Sequence, residues 1–146
     1  MSENKITIQK FPFSETQFKL RLKTDSTFTY TPAEELQMCK DLLRCVDLTT
    51  LEGSDTTEKI RKLCATAVSF RDDDKGISSP ASVCVYPPFV ALAKECLRDT
   101  SVHVASVAGA FPSGQLPIQL KVAEVEYAVS QGADEIDMVI SRGANT

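Results

Sequence analysis

The sequence predicts an α/β fold of the (β/α)8 TIM-barrel family, with about the first four βα units present, preceded by an N-terminal helix. Three observations carry that prediction. From Arg44 onward short apolar runs alternate with amphipathic stretches, in the order β-α-β-α-β-α-β, the pattern of parallel crossover units. One face of the strands carries Asp47, Thr49, Ser82, Cys84, Glu135 and Asp137. An open doubly wound sheet reads apolar on both faces because helices cover both, whereas a semi-polar face suits a barrel interior with its site at the strands' C-terminal ends. Finally, a whole barrel takes ~250 residues, so a chain of 146 holds four of the eight strands.

Residues 1–31 read as an N-terminal extension, partly ordered at most. Ile6–Leu22 mixes apolar and basic residues without a clean period, and Lys23–Tyr30 is rich in Thr and Ser. The first half of the barrel is expected over 32–146. Thr31 as N-cap, Pro32 at the first helical position and Glu34 as capping-box partner open a helix running to about Leu42 and burying Leu36, Cys39 and Leu43. Strand Arg44–Thr49 follows. Successive side chains alternate, so Cys45, Asp47 and Thr49 share one face and Val46 and Leu48 the other.

Asp55-x-x-Glu58 is a second capping signal, and Ile60, Leu63, Cys64, Ala67 and Val68 then keep helical spacing. Phe70–Pro80 reads as a polar loop in which Asp72-Asp73-Asp74 is solvated rather than metal-binding. Ala81–Tyr86 is a strand ended by Pro87-Pro88, which stop a strand and open a helix. That helix presents Phe89, Leu92, Ala93, Cys96 and Leu97. Strand Val102–Val107 leads into the turn Ala108–Gly114, whose glycines permit close approach to a ligand. Ile118, Val122, Val125 and Val129 mark the next helix, with Gly132 as its C′ residue.

The last strand lies in Gly132–Gly143. Ile136, Met138 and Ile140 share one face, and Glu135, Asp137 and Val139 the other. Enclosing an ionised carboxylate costs several kcal/mol or more unless it is paired, hydrogen-bonded or protonated. A strand that accepts this is a candidate for chemistry, and the expectation is a cavity shared by Asp137 and Asp47. The competing reading is an edge strand with both its acids in water.

Composition narrows the function. The chain is 42% hydrophobic and 25% charged, with net charge −4 and pI near 5.0, which argues against a nucleic-acid partner. No apolar run approaches the roughly 18 residues of a membrane span. Met1–Lys10 has no signal-peptide core, so a cytoplasmic protein without membrane contact is expected. Cys39, Cys45, Cys64, Cys84 and Cys96 are odd in number and lack Cys-x-x-Cys spacing, and His103 is the single histidine. Neither zinc nor disulfides are expected; four of the five cysteines read as small buried hydrophobes.

Four segments together resemble deoxyribose-phosphate aldolase, a class I aldolase family. They are Val46–Leu51 (Val-Asp-Leu-Thr-Thr-Leu), Val83–Pro87 (Val-Cys-Val-Tyr-Pro), Val104–Gly109 with Phe111-Pro112, and Gly132–Ile140 (Gly-Ala-Asp-Glu-Ile-Asp-Met-Val-Ile). The resemblance covers residues 40–144 and implies a carbon–carbon lyase without a cofactor. Such enzymes reversibly split 2-deoxy-D-ribose 5-phosphate into D-glyceraldehyde 3-phosphate and acetaldehyde, through a lysine Schiff base that acts as electron sink. It implies that Asp137 is the catalytic acid of the proton relay, that Asp47 and Thr49 line the substrate pocket, and that Cys84 is a pocket thiol not needed for the chemistry. The Lys-x-Ser-Thr-Gly motif of the Schiff-base lysine is absent, as are the second active-site lysine and the phosphate-holding turns. Lys94 and Lys121 fall on helices and are no substitutes. The turn also has Ala110 between Gly109 and Phe111, a departure from the family pattern. The expected partner is a small phosphorylated sugar. The alternative is a non-catalytic half-barrel whose two open strand edges make it a self-association or partner-binding module, hence a homo-oligomer. A third reading is another barrel lyase or isomerase using the same acids.

Overall fold

The computed structural model describes residues 14–25 and 28–144. The readings of Met1–Lys10 and of the first part of Ile6–Leu22 lie outside them. The chain divides into two compact units, Met1–Glu35 and Leu36–Thr146. In the first unit helix α1 (Glu15–Asp25) is more order than the sequence suggested. The signal passed over is Ser14-x-x-Gln17. The Gln17 N–H donates to Ser14 Oγ at 3.2 Å and the Ser14 N–H to Gln17 Oε1 at 2.8 Å, a reciprocal cap that starts a helix without any apolar stripe.

Helix α2 (Pro32–Leu43) opens as read. The Thr31 N–H donates to Glu34 Oε2 at 2.8 Å and the Glu34 N–H to Thr31 Oγ1 at 3.3 Å. Its packing differs from expectation: Leu36 and Cys39 are exposed and Leu43 is only half-buried.

The second unit alternates strand and helix: β1 (Asp47–Thr49), α3 (Thr57–Ser69), β2 (Ser82–Val85), α4 (Val90–Leu97), β3 (His103–Ala108), α5 (Ile118–Ser130) and β4 (Glu135–Met138). Strand β1 is shorter than Arg44–Thr49 because the Cys45 and Val46 N–H groups bond back to the Leu42 and Leu43 carbonyls at 2.9 and 3.2 Å, closing the turn that leaves α2. Cys45 sits on that turn and is exposed, so it does not pack as a core residue.

The four strands are parallel and lie in the order β1-β2-β3-β4. Sequential order is what a singly wound barrel sheet requires; a doubly wound sheet reverses partway. The core lies between the sheet and its helices. It joins Ile60, Cys64 and Ala67 of α3 to Val83 and Val85 of β2, Val104 of β3, and Val90, Ala93 and Leu97 of α4. Burial first, and then the neighbouring Cys96, pushes the Cys64 thiol up to about 11.

Three local expectations need correction. The cap of α3 is Thr56, not Asp55: Thr56 Oγ1 accepts the Lys59 N–H at 3.2 Å. Asp55 instead turns back, accepting the Thr50 hydroxyl at 2.9 Å, the Glu52 N–H at 3.1 Å and the Lys59 ammonium at 2.6 Å. Second, Val68 at the end of α3 is exposed. Third, helix α5 buries Lys121 and Ala128, whereas Ile118, Val122 and Val129 of its apolar stripe are exposed. In the polar loop Asp72 pairs with Lys75 at 2.7 Å and Asp73 with Arg71 at 2.9 Å.

Candidate active site

Parallel pairing brings Cα partners to the same side of the sheet, so the register decides what the inner face carries. Asp47, Ser82 and His103 form one row. Thr49, Cys84, Ala105 and Glu135 form the next. Val107 and Asp137 stand together one step nearer the strands' C-terminal ends. Alternation puts all three rows on the face turned away from the core helices. Asp47 and Asp137, ninety residues apart in sequence, therefore share one side of the sheet, as the sequence implied.

A neutral floor separates the two acids. Cys84, Ala105 and Val107 are buried and packed by Leu51, Tyr86 and Phe111, with the Tyr86 and Phe111 rings edge to face at 6.4 Å. The Cys84 thiol is pushed up to about 11, by burial first, then by the Asp137 carboxylate, then by that of Asp47. One thiol thus senses both acids. The geometry is nevertheless not the enclosed cavity expected: Asp47 and Asp137 are both exposed. Each is an acid open to solvent, so the burial cost of an enclosed carboxylate does not arise here.

Hydrogen bonds hold Asp47 and Glu135 on this face. The Ser82 hydroxyl donates to Asp47 Oδ1 at 2.7 Å, and the Thr49 hydroxyl to the Asp47 carbonyl at 2.8 Å. Below Asp137, His103 Nδ1 lies 2.8 Å from Glu135 Oε1. The position of β4 is set by Asp134, whose role the sequence reading missed. Its N–H donates to the Val104 carbonyl at 2.8 Å and its Oδ2 accepts the Val104 N–H, also at 2.8 Å. This two-way clasp starts the β3–β4 ladder three residues before Asp137. Lys94 Nζ closes on the same carboxylate at 2.8 and 2.9 Å. Burial alone would raise the Asp134 carboxyl, but Lys94 and the Val104 N–H hold it below the usual carboxylate range.

The turn after β3 is also held from outside. Gly109 and Gly114 have positive φ, and so does Ala110 at 66°, a left-handed setting that a non-glycine residue adopts at some cost. The Ala110 N–H donates to Glu124 Oε2 of α5 at 2.8 Å, which fixes the turn and with it Phe111. An added Cβ at Gly109 would lie 2.5 Å from the Val139 carbonyl, so glycine there answers to close approach of β4 rather than to a ligand. Neither helix lysine reaches this face: Lys94 is committed to Asp134, and Lys121 Nζ donates to Ser141 Oγ at 2.6 Å.

Residues 42–146 match the family described as DeoC/LacD family aldolase. The chain is 44% identical over 108 residues to the deoxyribose-phosphate aldolase of Homo sapiens, covering 66% of this chain and 34% of that protein. It is 42% identical over 105 residues to that of Caldicellulosiruptor saccharolyticus, covering 72% of this chain and 44% of the other. The tetrameric deoxyribose phosphate aldolase of Aeropyrum pernix superposes with a TM-score of 0.58 at 28% identity, covering 72% of this chain and 41% of that one. The chain thus spans between about a third and under half of the length of the relatives it matches.

Proposed function

The chain belongs to the DeoC/LacD family of aldolases, and we propose that it supplies the acid–base half of a deoxyribose-phosphate aldolase site. The reaction is the reversible cleavage of 2-deoxy-D-ribose 5-phosphate to D-glyceraldehyde 3-phosphate and acetaldehyde. The Schiff-base lysine and the phosphate-holding turns come from the other half of the barrel. What supports this reading is the placement of Asp47 and Asp137 on one face around Cys84.

In this reading Asp137 moves protons. The carbinolamine formed when an amine adds to the sugar aldehyde must lose water, and a carboxylic acid beside it protonates the departing hydroxyl. The same carboxylate then accepts the sugar hydroxyl proton as the carbon–carbon bond breaks. Asp47 and Thr49 meet the sugar hydroxyls, with Asp47 kept in place by Ser82. Cys84 remains a neutral thiol at physiological pH because its pKa sits near 11; its part is to pack the floor.

The test combines this chain with the separately produced second half of the Caldicellulosiruptor relative, adds deoxyribose 5-phosphate and borohydride, and weighs each polypeptide. A sugar adduct on the added half, formed only when both are present, is expected. Asp137→Asn should slow cleavage by on the order of 10²–10⁴-fold. An adduct on a lysine of this chain alone would contradict the proposed division of labour. So would a combination that assembles yet stays inactive.

A further inference from the structure

We propose that Cys64 and Cys96 form a dithiol site that a peroxide converts to a disulfide, tying α3 to α4. The inference does not depend on the aldolase reading. It concerns two helices that meet directly in one core cluster, where Cys64 of α3 is a buried member and Cys96 of α4 packs against it. Strands β1, β2 and β3, which these helices connect, pair with one another in the described sheet. Both cysteines line one cavity of about 530 Å³, together with Arg61, Val68, Ser69 and Thr100. The two thiols are close enough to share a hydrogen bond. Arg61 Nη1 donates to Cys96 Sγ at 3.6 Å, and its Nη2 lies 4.0 Å from Glu95 Oε2, so the guanidinium is held at the mouth of the pair. The pair has no short-spacing signature because its members come from different helices.

Burial gives the two sulfurs different roles. Cys64 is 2% exposed and its thiol is pushed up to about 11, chiefly by burial. It therefore stays protonated and is a poor first nucleophile. Cys96 is only half-buried and has a cation at its sulfur, the setting in which thiols react. Hydrogen peroxide oxidises Cys96 first. A sulfur–oxygen bond forms, the oxygen–oxygen bond breaks, and the released hydroxide leaves as water with the thiol's proton. The Cys64 sulfur then attacks the sulfur of this sulfenic acid. A sulfur–sulfur bond forms, the sulfur–oxygen bond breaks, and the departing hydroxide takes the Cys64 proton as a second water. Two thiols are thereby oxidised and one peroxide is reduced. A resolving thiol held beside the sulfenic acid diverts it from irreversible oxidation, and a thiol reductant restores the pair.

Peptide mapping of the 146-residue chain after brief treatment with hydrogen peroxide tests this. Trypsin places Cys64 in Leu63–Arg71 and Cys96 in Glu95–Arg98, each peptide with a single cysteine. The expected product is these two peptides joined, lighter than their sum by two hydrogens and separated again by dithiothreitol. The thermal midpoint of the oxidised chain should rise by about 6–16 °C. Cys96→Ser should lose both the link and the rise, whereas Cys64→Ala should leave a sulfenic acid on Cys96 that dimedone captures. Cys39 and Cys45 are exposed; oxidation confined to them, with Cys64 and Cys96 still free thiols, would overturn the proposal. So would a link that forms only in denaturant, because the folded chain would then not hold the two sulfurs together.

Discussion

Replacing Asp134 should separate a hydrogen bond from a charge. Its carboxylate accepts the Val104 N–H at 2.8 Å and pairs with Lys94, while Val104 itself is fully buried. Removing the acceptor with Asp134→Ala strands a buried N–H, at a cost of about 1–3 kcal/mol. The Lys94 pair is about a third exposed on both sides, so solvent screening limits its share to under about 1 kcal/mol. Asp134→Ala should therefore lose about 2–3 kcal/mol, and Asp134→Asn, which keeps an acceptor oxygen, about 1 kcal/mol or less. At about 3–4 °C per kcal/mol for a chain this size, thermal unfolding should fall by about 6–12 °C for alanine and less than about 4 °C for asparagine.

Acid makes the second reading. A carboxyl held low contributes stability that is complete above its ordinary value near 3.9 and disappears as pH falls through its folded-state value. The acid limb of wild-type stability should therefore be steeper than that of Asp134→Asn. Equal losses for the two variants would refute the argument, because the charge rather than the clasp on Val104 would then be what matters.

Two further outcomes follow from the same structure. Thr56→Ala should destabilise by about 1 kcal/mol through loss of the α3 cap, whereas Glu58→Gln, at the residue the sequence read as Asp55's capping partner, should change little; urea unfolding midpoints compare them. At the turn after β3, Gly109→Ala forces a side chain against the Val139 carbonyl at positive φ and should cost about 2–3 kcal/mol or more. Ala110→Gly relieves a left-handed alanine and should stabilise by under about 1 kcal/mol. A thermal melt of each decides, and a harmless Gly109→Ala would remove the close approach to β4 from the account.

Local signals were legible because they are complete within a few residues. Thr31 and Glu34 form the cap they spell, Gly132 has the positive φ of a helix terminator, and the alternation in β2 sends Val83 and Val85 to one core and Cys84 to the other face. That parity, carried through the parallel register, is what puts Asp47 and Asp137 together.

What the sequence hid is non-local. The stripes of α2 and α5 state that Leu36, Ile118 and Val122 want cover, but spacing cannot say whether the cover lies in the same chain. The same gap misplaced Cys39 and left the two acids exposed rather than enclosed. Asp55 and Thr56 are adjacent good caps, and the choice between them rests on Thr50 and Glu52 across the loop. Asp134 and Glu124 act through backbone groups of Val104 and Ala110, contacts that leave no mark in a pattern of residue types.

The placement of the two acids is open to direct titration. In a variant whose only cysteine is Cys84, the 13C shift of its Cβ followed against pH reports the thiol. Asp137→Asn and Asp47→Asn should each move that transition down from about 11, the double variant further still. A Cys84 titration unmoved by Asp137→Asn would separate the acids and contradict the shared face on which the site is built.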